Sequence, residues 1–305
     1  MWTHVPSANC SSPAYSFEPS GKIGNQLSEY VHLLCLHQQF SINVGLHPKM
    51  WNKLRIVFPH LSLPIMTEGC IRHLSQRKKT LAEIRTELSR GLSASSLLGG
   101  TPCDPFRFWN CRQHWRKDLT FSEPFQVASV MRTAHLIQQW QWLHPVALRN
   151  REITLVTAHV RRSDFTYTLN RRNYGQLMPP VYYQNAFHYF RERYANPLFM
   201  VITEPAERQW CRDNLAKYTN DVLVVDDNNE EAEDLALIAS FKHIIYSHGT
   251  FGFWGILLSH ARTVVYPEKS GNPAENRYSM HQFFDHIRHN ATLNHGVNFV
   301  TVRQT

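Results

Sequence analysis

Short apolar runs alternate with longer helical patterns along the second half of the chain. The strand candidates are residues 153–160, 198–203, 222–225, 243–247 and 263–267. The helix candidates between them are residues 181–194, 205–217, 230–241 and 251–260. Short apolar strands that alternate with helices are typical of βαβ units with a parallel sheet. The pattern therefore predicts an α/β domain over residues 151–305, with a parallel sheet at its centre.

The first half of the chain is less regular. Behind a glycine turn within residues 21–40, five apolar residues recur at helical spacing and predict a helix: Leu27, Tyr30, Val31, Leu34 and Cys35. Prolines and a Ser/Gly-rich stretch interrupt the chain further on, where the pattern indicates two more helices, around 70–90 and 124–142. We expect residues 1–150 to form a domain of their own.

Two adjacent arginines, Arg161 and Arg162, follow the first strand candidate. In an open parallel sheet, ligands bind outside the carboxyl ends of the strands. Because side chains alternate along a strand, we expect one arginine to face a ligand and the other to pair with an acidic neighbour such as Asp164. The guanidinium fork matches phosphate oxygens, so a diphosphate suits this position. A surface Arg–Asp pair that closes the strand is the alternative.

A glycine-rich turn, "SHGTFGFWG", follows the fourth strand candidate. Gly249 permits a tight turn, and Thr250 is suited to cap the helix behind it. The exposed N–H groups and the dipole at the start of such a helix favour phosphate. The alternative is a structural turn with aromatic residues in the core. We expect Phe253 and Trp254 to be core residues in either case, and Phe251 with them.

Two aspartates, Asp226 and Asp227, end the third strand candidate, and further acidic residues open the next helix. A carboxylate at this edge of the sheet could accept the N–H donors of a guanine base. It could equally cap the helix, where the dipole favours negative charge. The adjacent pair lacks the D-x-D spacing of metal-dependent sugar transferases, and no histidine lies near it in the sequence to complete a metal site. We therefore expect no metal cofactor.

The net charge of +8 is unevenly distributed. Residues 1–150 hold 16 lysines and arginines against 8 aspartates and glutamates, and the two charges balance in the remainder. A basic half could meet nucleic acid, an anionic membrane surface or a phosphorylated ligand. The densest basic cluster, residues 77–79, is interpreted as a solvated face. Because no long basic run or heptad-linked basic region is present, nucleic-acid binding is not expected.

The six cysteines include no CxxC pair, which argues against structural zinc. Cys103 and Cys111 could close a small loop in an oxidising compartment. Two sequons, at Asn9 and Asn290, matter only if the chain enters the secretory pathway. No stretch reaches 18 apolar residues and the amino terminus has no signal-peptide core, so the sequence taken literally predicts a soluble chain.

Three segments occur in order along the chain: "SFEPSGKIGNQLSEY", "AHVRRSDF" and "SHGTFGFWGILLS". Together they resemble the α-1,2-fucosyltransferases, whose pattern is G-R-x-G-N-Q, H-V-R-R-G-D and G-T-F-G-F-W. The resemblance covers residues 15–285. It implies a GT-B-like fold of two Rossmann-type domains, with GDP-fucose held mainly by the carboxyl-terminal one. The implied reaction is an inverting transfer of fucose to the 2-hydroxyl of a terminal galactose on a glycan.

The resemblance also implies roles for single residues. Arg161 faces the donor diphosphate, and Gly24 and Asn25 close the cleft from the other domain. The full set expected to bind the donor is Gly24, Asn25, His159, Arg161, Arg162, Asp227, Gly249, Thr250 and Phe251. Arg161 and Asp164 are the expected catalytic residues. Asp164 is the candidate base beside the motif, although a salt bridge with an arginine would lower its pKa and weaken it as a base.

The sequence departs from the family pattern at two motif positions. Lys22 stands where the family usually has Arg, and Ser163 replaces the usual Gly after the arginine pair. The amino-terminal Golgi anchor of the family is not visible in this sequence. A Golgi location with a lumenal catalytic domain is therefore expected from the resemblance alone, with membrane attachment only if an anchor is missing here. A catalytically inactive relative that binds nucleotide or glycan is the alternative to an active transferase.

Overall fold

The computed structural model describes residues 14–72, 74–90, 95–99, 102–144, 152–172, 176–227, 230–268, 279–290 and 292–304. The chain divides into two compact units, Met1–Ser122 and Glu123–Thr305. This division lies ahead of the boundary at residue 150 that the sequence suggested.

The first unit is built on a small parallel sheet. Its strands are β1 (Tyr15–Phe17), β2 (Ser75–Lys79) and β3 (Ser96–Leu98), in the order β1-β3-β2. Its helices are α1 (Ile23–Phe40), α2 (Pro48–Val57), α3 (Glu68–Arg72), α4 (Leu81–Ser89), α5 (Pro105–Asn110) and α6 (Arg112–Asp118). The single helix predicted around 70–90 is wrong, because β2 interrupts it. Polar, lysine-rich sequences are common in strands at the edge of a sheet, and β2 occupies such an edge.

Helix α1 forms the centre of this unit. The five residues predicted from helical spacing are all buried, and α1 packs against α2, α5 and α6. Cys35 in α1 forms a disulfide with Cys111, which lies between α5 and α6, with their Cα atoms 5.8 Å apart. The pairing of Cys103 with Cys111 suggested by the sequence is therefore wrong.

The second unit contains a six-stranded parallel sheet. Its strands are β4 (Thr154–Val160), β5 (Pro197–Thr203), β6 (Val222–Val224), β7 (His243–Ile245), β8 (Thr263–Pro267) and β9 (Asn298–Val302), in the order β6-β5-β4-β7-β8-β9. Its helices are α7 (Glu123–Leu143), α8 (Phe165–Arg172), α9 (Pro180–Arg191), α10 (Arg208–Cys211), α11 (Glu231–Ser240), α12 (Gly249–Leu258) and α13 (Ser279–Arg288). The five predicted strands are confirmed. The helix predicted at 205–217 is α10 flanked by a 3₁₀ turn and a π turn.

The order of the strands locates the place where a ligand is expected. From β4 the chain proceeds outward through β5 to β6, and then returns to the other side of β4 to build β7, β8 and β9. The strand order therefore reverses between β4 and β7. In open α/β sheets, ligands bind at such a switch point, outside the carboxyl ends of the two strands.

Helix α7 explains the boundary between the units. It packs against α11 of the second unit, and the indole Nε1 of Trp140 donates to the carbonyl of Asn220 at 2.5 Å. The predicted helix at 124–142 is thus confirmed, but it belongs to the second unit and not to the first. Both units are α/β with parallel sheets, as the expected GT-B-like fold requires.

None of the described helices is both long enough and apolar enough to cross a membrane.

Candidate active site

The arginine segment and the glycine-rich segment meet at the switch point of the sheet. Arg161 follows β4, and Gly249 begins α12 after β7. A Cβ atom placed on Gly249 would lie 3.7 Å from Cγ of Arg161. The fold therefore brings together two segments that are more than eighty residues apart in sequence, at the position where both were expected to contact an anion.

Arg161 is held by two carboxylates. Its NH1 group donates to Glu204 at the end of β5, and its NH2 group pairs with Asp164 at 2.7 Å. The arginine side chain is 16% exposed, so its guanidinium is partly desolvated. The alternative interpretation, an Arg–Asp pair that closes the strand, is present in the structure together with the close approach of Arg161 to Gly249.

Arg162 points to the other side of the strand, as side-chain alternation predicted. Its guanidinium stacks on the indole of Trp210 at 3.7 Å, and its Nε lies 3.3 Å from Glu207. Its acidic partner is therefore Glu207, and the expected pairing of the second arginine with Asp164 is wrong. Arg162 is thus held by Trp210 and Glu207, and Arg161 is the arginine that lies against Gly249 at the switch point.

Two of the carboxylates around the arginine pair, Glu204 and Glu207, were not found from the sequence. Glu204 and Glu207 lie in the turn after β5, and both contact Ser163: its hydroxyl donates to Glu204, and its N–H donates to Glu207 at 3.0 Å. Two arginines thus meet three carboxylates when Asp164 is included. The "TEPAE" segment behind a buried strand was the available signal, because acidic residues at the end of a neighbouring parallel strand lie at the same edge of the sheet.

Helix α12 begins two residues earlier than the sequence suggested. His248 is its N-cap residue and Gly249, with φ of +89°, opens the helix, so the expected cap at Thr250 is wrong. A Cβ on Gly252 would lie 2.6 Å from Nδ1 of His159. Glycine at this position therefore allows the helix to approach β4 closely, which directs its N–H groups toward the switch point.

The aromatic residues of α12 have different roles. Phe253 and Trp254 are fully buried core residues, as expected. The expectation that Phe251 is a core residue is wrong, because its side chain is half-buried and its ring lies 5.3 Å from the ring of His159. Phe251 and Thr250 are therefore in the first turn of α12, on the segment that faces the arginine.

His159 is a neutral residue of the site. It is 4% exposed, and its backbone carbonyl accepts a hydrogen bond from the Ser247 hydroxyl at 2.9 Å. Burial, together with the nearby charge of Arg161, lowers its pKa to about 3. Burial likewise lowers the pKa of His281 to about 4. Positive charge at the switch point therefore comes from Arg161 and the start of α12, and not from these imidazoles.

Asp226 and Asp227 are both engaged by arginines. Asp226 pairs with Arg208 and Arg212. Asp227 accepts two bonds from Arg132 of α7, at 2.6 and 2.5 Å. The helix-cap interpretation is wrong, because α11 is capped by a different pair in which the N–H of Glu230 donates to Glu233. Asp227 thus lies at the β6 edge of the sheet, fixed by α7.

Gly24 and Asn25 belong to the first unit. They lie in the first turn of α1, behind Gly21, whose φ of +66° turns the chain. A Cβ on Gly21 would collide with the side chain of Asn25, so the turn and the helix start fit together only with glycine there. The same turn is anchored to α1 by Glu29, which accepts from the Ser20 hydroxyl at 2.7 Å.

Within the part of the chain that the structure describes, no group of three or more His, Cys, Asp or Glu side chains could hold a metal ion.

Comparison with known proteins identifies the family. The model of glycosyl transferase family 11 matches residues 2–286. The chain belongs to this family. Among its relatives, galactoside α-(1,2)-fucosyltransferase 1 of Alouatta belzebul is 30% identical over 83% of this chain and 67% of that protein. The enzyme of the same name from Sus scrofa is 31% identical, with the same shares covered.

The similarity of the fold to solved structures is weaker evidence than these sequence matches. A crystal structure of POFUT1 in complex with GDP has a TM-score of 0.48 and 8% sequence identity, and the match covers 85% of this chain and 99% of that chain. We take the family from the sequence matches alone.

Ser163 is compatible with a family 11 site. Among the described residues, Ser41 and His295 are the only ones other than glycine with positive φ. Ser163 therefore follows a backbone path that any residue can adopt, and the absence of the usual glycine causes no strain. Its hydroxyl instead adds a contact to Glu204.

Proposed function

We propose that this protein transfers L-fucose from GDP-fucose to the 2-hydroxyl of a terminal galactose on a glycan. The observation that carries the proposal is the meeting of Arg161 with the start of α12 at the switch point of the sheet, in a chain of glycosyl transferase family 11. An arginine fork and a helix amino terminus are two groups that favour a diphosphate. The named activity of the relatives supports fucose as the sugar.

In the proposed reaction, the galactose hydroxyl attacks the anomeric carbon of fucose from the side opposite GDP. The bond from that carbon to the β-phosphate oxygen breaks, the hydroxyl proton passes to a base, and the configuration inverts. Negative charge develops on the departing β-phosphate. Preorganised donors aimed at such a charge supply much of the rate enhancement in enzymes, and Arg161 with the N–H groups of α12 would be these donors.

The base is proposed to be Asp164. Its side chain is 67% exposed and reaches the same guanidinium as the diphosphate would, so it lies beside the reacting groups. Gly24 and Asn25 are proposed to contact the donor from the first unit. Asp227 is proposed to lie near the guanine of the donor. Acceptor contacts are proposed to come from the basic first unit.

Incubation of the purified protein with labelled GDP-fucose and lactose tests the proposal directly. Formation of an α-1,2-fucosylated product supports it, and the linkage is read by digestion with a linkage-specific fucosidase. Binding of GDP without transfer to lactose or to an array of galactose-terminated glycans would identify an inactive relative. Absence of both binding and transfer contradicts the proposal.

Transfer is predicted to require no divalent metal. The carboxylates at this edge of the sheet, Asp164, Glu204, Glu207, Asp226 and Asp227, are already paired with arginines. Arginine with a helix dipole can stabilise the leaving diphosphate. We expect activity to persist in excess EDTA, with at most modest stimulation by manganese or magnesium. Loss of activity in EDTA that a single metal restores would contradict the prediction and make Asp226 or Asp227 a candidate ligand.

A lumenal Golgi location is proposed from the family resemblance. Asn290 follows α13, and its Oδ1 accepts from the Thr292 hydroxyl at 2.7 Å; Asn9 lies outside the described residues. We expect the protein expressed from its full gene to lose mass on treatment with an N-glycosidase, and the loss to shrink in Asn290→Gln. A cytosolic product that is active and unglycosylated would contradict the location.

A further inference from the structure

The charge around Arg161 conflicts with a simple anion site. Arg161 and Arg162 lie among Asp164, Glu204 and Glu207, so the cluster carries one more negative than positive charge. A diphosphate that approached this cluster would meet an arginine whose donors already serve carboxylates. For Arg161 to bind the diphosphate, at least one of these carboxylates has to release its hydrogen bonds to Arg161.

The two carboxylates on Arg161 are not equivalent. Glu204 follows β5 directly, and β5 pairs with β4 along its whole length, with Thr203 opposite Val160. Its side chain is 24% exposed and also accepts from the hydroxyl of Ser163. Asp164 lies in the turn after Arg161, and its side chain is 67% exposed. A half-buried partner with two bonds resists displacement, whereas an exposed ion pair contributes little.

We propose that Glu204 is a positioning residue that holds Arg161 toward the diphosphate, while Asp164 is the partner that the diphosphate replaces. The inference rests on the proposed function, since it assumes that Arg161 binds the donor. On displacement, the Asp164 carboxylate is released from its ion pair with Arg161 and can accept a hydrogen bond from the acceptor hydroxyl. Donor binding would thereby free the proposed base for the acceptor.

The proposal predicts opposite effects on GDP binding when each of the two carboxylate partners of Arg161 is replaced by its isosteric amide. Asp164→Asn removes a competitor of the diphosphate, so GDP binding should tighten by about threefold. Glu204→Gln removes the charge that fixes the guanidinium, so GDP binding should weaken by about tenfold. A purely electrostatic effect of removing a negative charge near an anionic ligand would tighten binding in both variants.

Isothermal titration of GDP into the full chain measures these affinities without depending on transfer. Glu207→Gln is the matched control, because it removes the same charge from the same turn but pairs with Arg162 and not with Arg161. We expect Glu207→Gln to leave the Kd within about twofold of wild type. Turnover adds a second readout: Glu204→Gln should raise KM for GDP-fucose as well as lower kcat, whereas Asp164→Asn should lower kcat without raising KM.

Tighter GDP binding by Glu204→Gln, or equal weakening by Glu204→Gln and Glu207→Gln, overturns the inference. If Glu204→Gln does not fold, Ser163→Ala carries the test, because it removes one of the bonds that hold Glu204; it should weaken GDP binding about twofold, and an unchanged or tighter Kd overturns the inference. A wild-type protein that does not bind GDP overturns the proposed function as well. Normal GDP binding that Arg161→Ala weakens, with no weakening in Glu204→Gln, overturns this inference alone.

Discussion

Arg161→Ala is expected to abolish fucose transfer while the protein remains folded. Arg161 lies at the switch point, beside the start of α12, where a departing diphosphate would develop its charge. Loss of one partner of a partly buried charge pair costs about 2–5 kcal/mol, which at 1.4 kcal/mol per tenfold change is a loss of about 30-fold to several thousand-fold in kcat/KM. The measurement is kcat/KM for GDP-fucose, with thermal unfolding to verify the fold.

Two further variants separate the bidentate geometry of the Arg161 guanidinium from its charge, and from the packing of the neighbouring Arg162. Arg161→Lys keeps the charge but not the bidentate geometry, so it should also be poor. Arg162→Ala removes a guanidinium stacked on Trp210, so its main effect should be lower thermal stability. Near-normal turnover of Arg161→Ala would remove Arg161 from the mechanism, and greater loss of transfer in Arg162→Ala than in Arg161→Ala would exchange their roles.

The second unit could be predicted well from sequence because its strands are buried on both faces. Strand β5 is almost entirely apolar, and the residues of β4 other than Thr154, Thr157 and His159 are apolar, which is typical of strands covered on both faces. The α/β order follows from the alternation of such strands with helices. Strand β9 was missed because its sequence, NFVTV, is short and mixes polar and apolar residues, and its place in the sheet depends on pairing with β8. Tertiary pairing of this kind leaves no local periodicity.

The first unit was harder to predict from sequence, because its structure also depends on tertiary pairing. Its strands are short, and β2 is a charged edge strand whose only apparent local preference is for a solvated helix. The Cys35–Cys111 disulfide joins α1 to a distant turn, and connectivity between cysteines is set by three-dimensional proximity. The central helix α1 was predicted because its apolar residues are close together in sequence and carry the full 3.6-residue period.

The candidate site was predicted in part. Arg161 and the start of α12 follow from strand ends and a glycine turn, which are local features. Glu204 and the pairing of Asp227 with Arg132 depend on which strands and helices are neighbours, and strand order is not written in local sequence. The residues that supply charge could thus be found from sequence, whereas the residues that orient them required the fold.

Helix α1 contains a buried carboxylate that anchors the glycine turn, and its titration should be visible in the stability of the protein. Glu29 is 0% exposed and accepts from the hydroxyl and the N–H of Ser20, at 2.7 and 3.4 Å. Burial raises the pKa of its carboxyl from 4.5 to about 7, although the bonds from Ser20 and the charge of Lys78 lower it. The folded protein therefore retains this proton at pH values where the unfolded chain has lost it.

Stability should consequently fall as the pH rises from below 4.5 through about 7, because the unfolded state binds fewer protons than the folded state in that window. At 1.36 kcal/mol for each pH unit, the complete loss is about 3 kcal/mol.

Glu29→Gln cannot ionise, so its free energy of unfolding in urea should exceed that of the wild type by about 3 kcal/mol at pH 8.5. At pH 4.5 the two should differ by less than about 1 kcal/mol, the value of one altered hydrogen bond to Ser20. The difference between the variants at the two pH values isolates Glu29 from every other titrating group. An equal difference at both, or a variant that is less stable at pH 8.5, would show that the carboxylate is charged in the folded protein and that its bonds from Ser20 outweigh its burial.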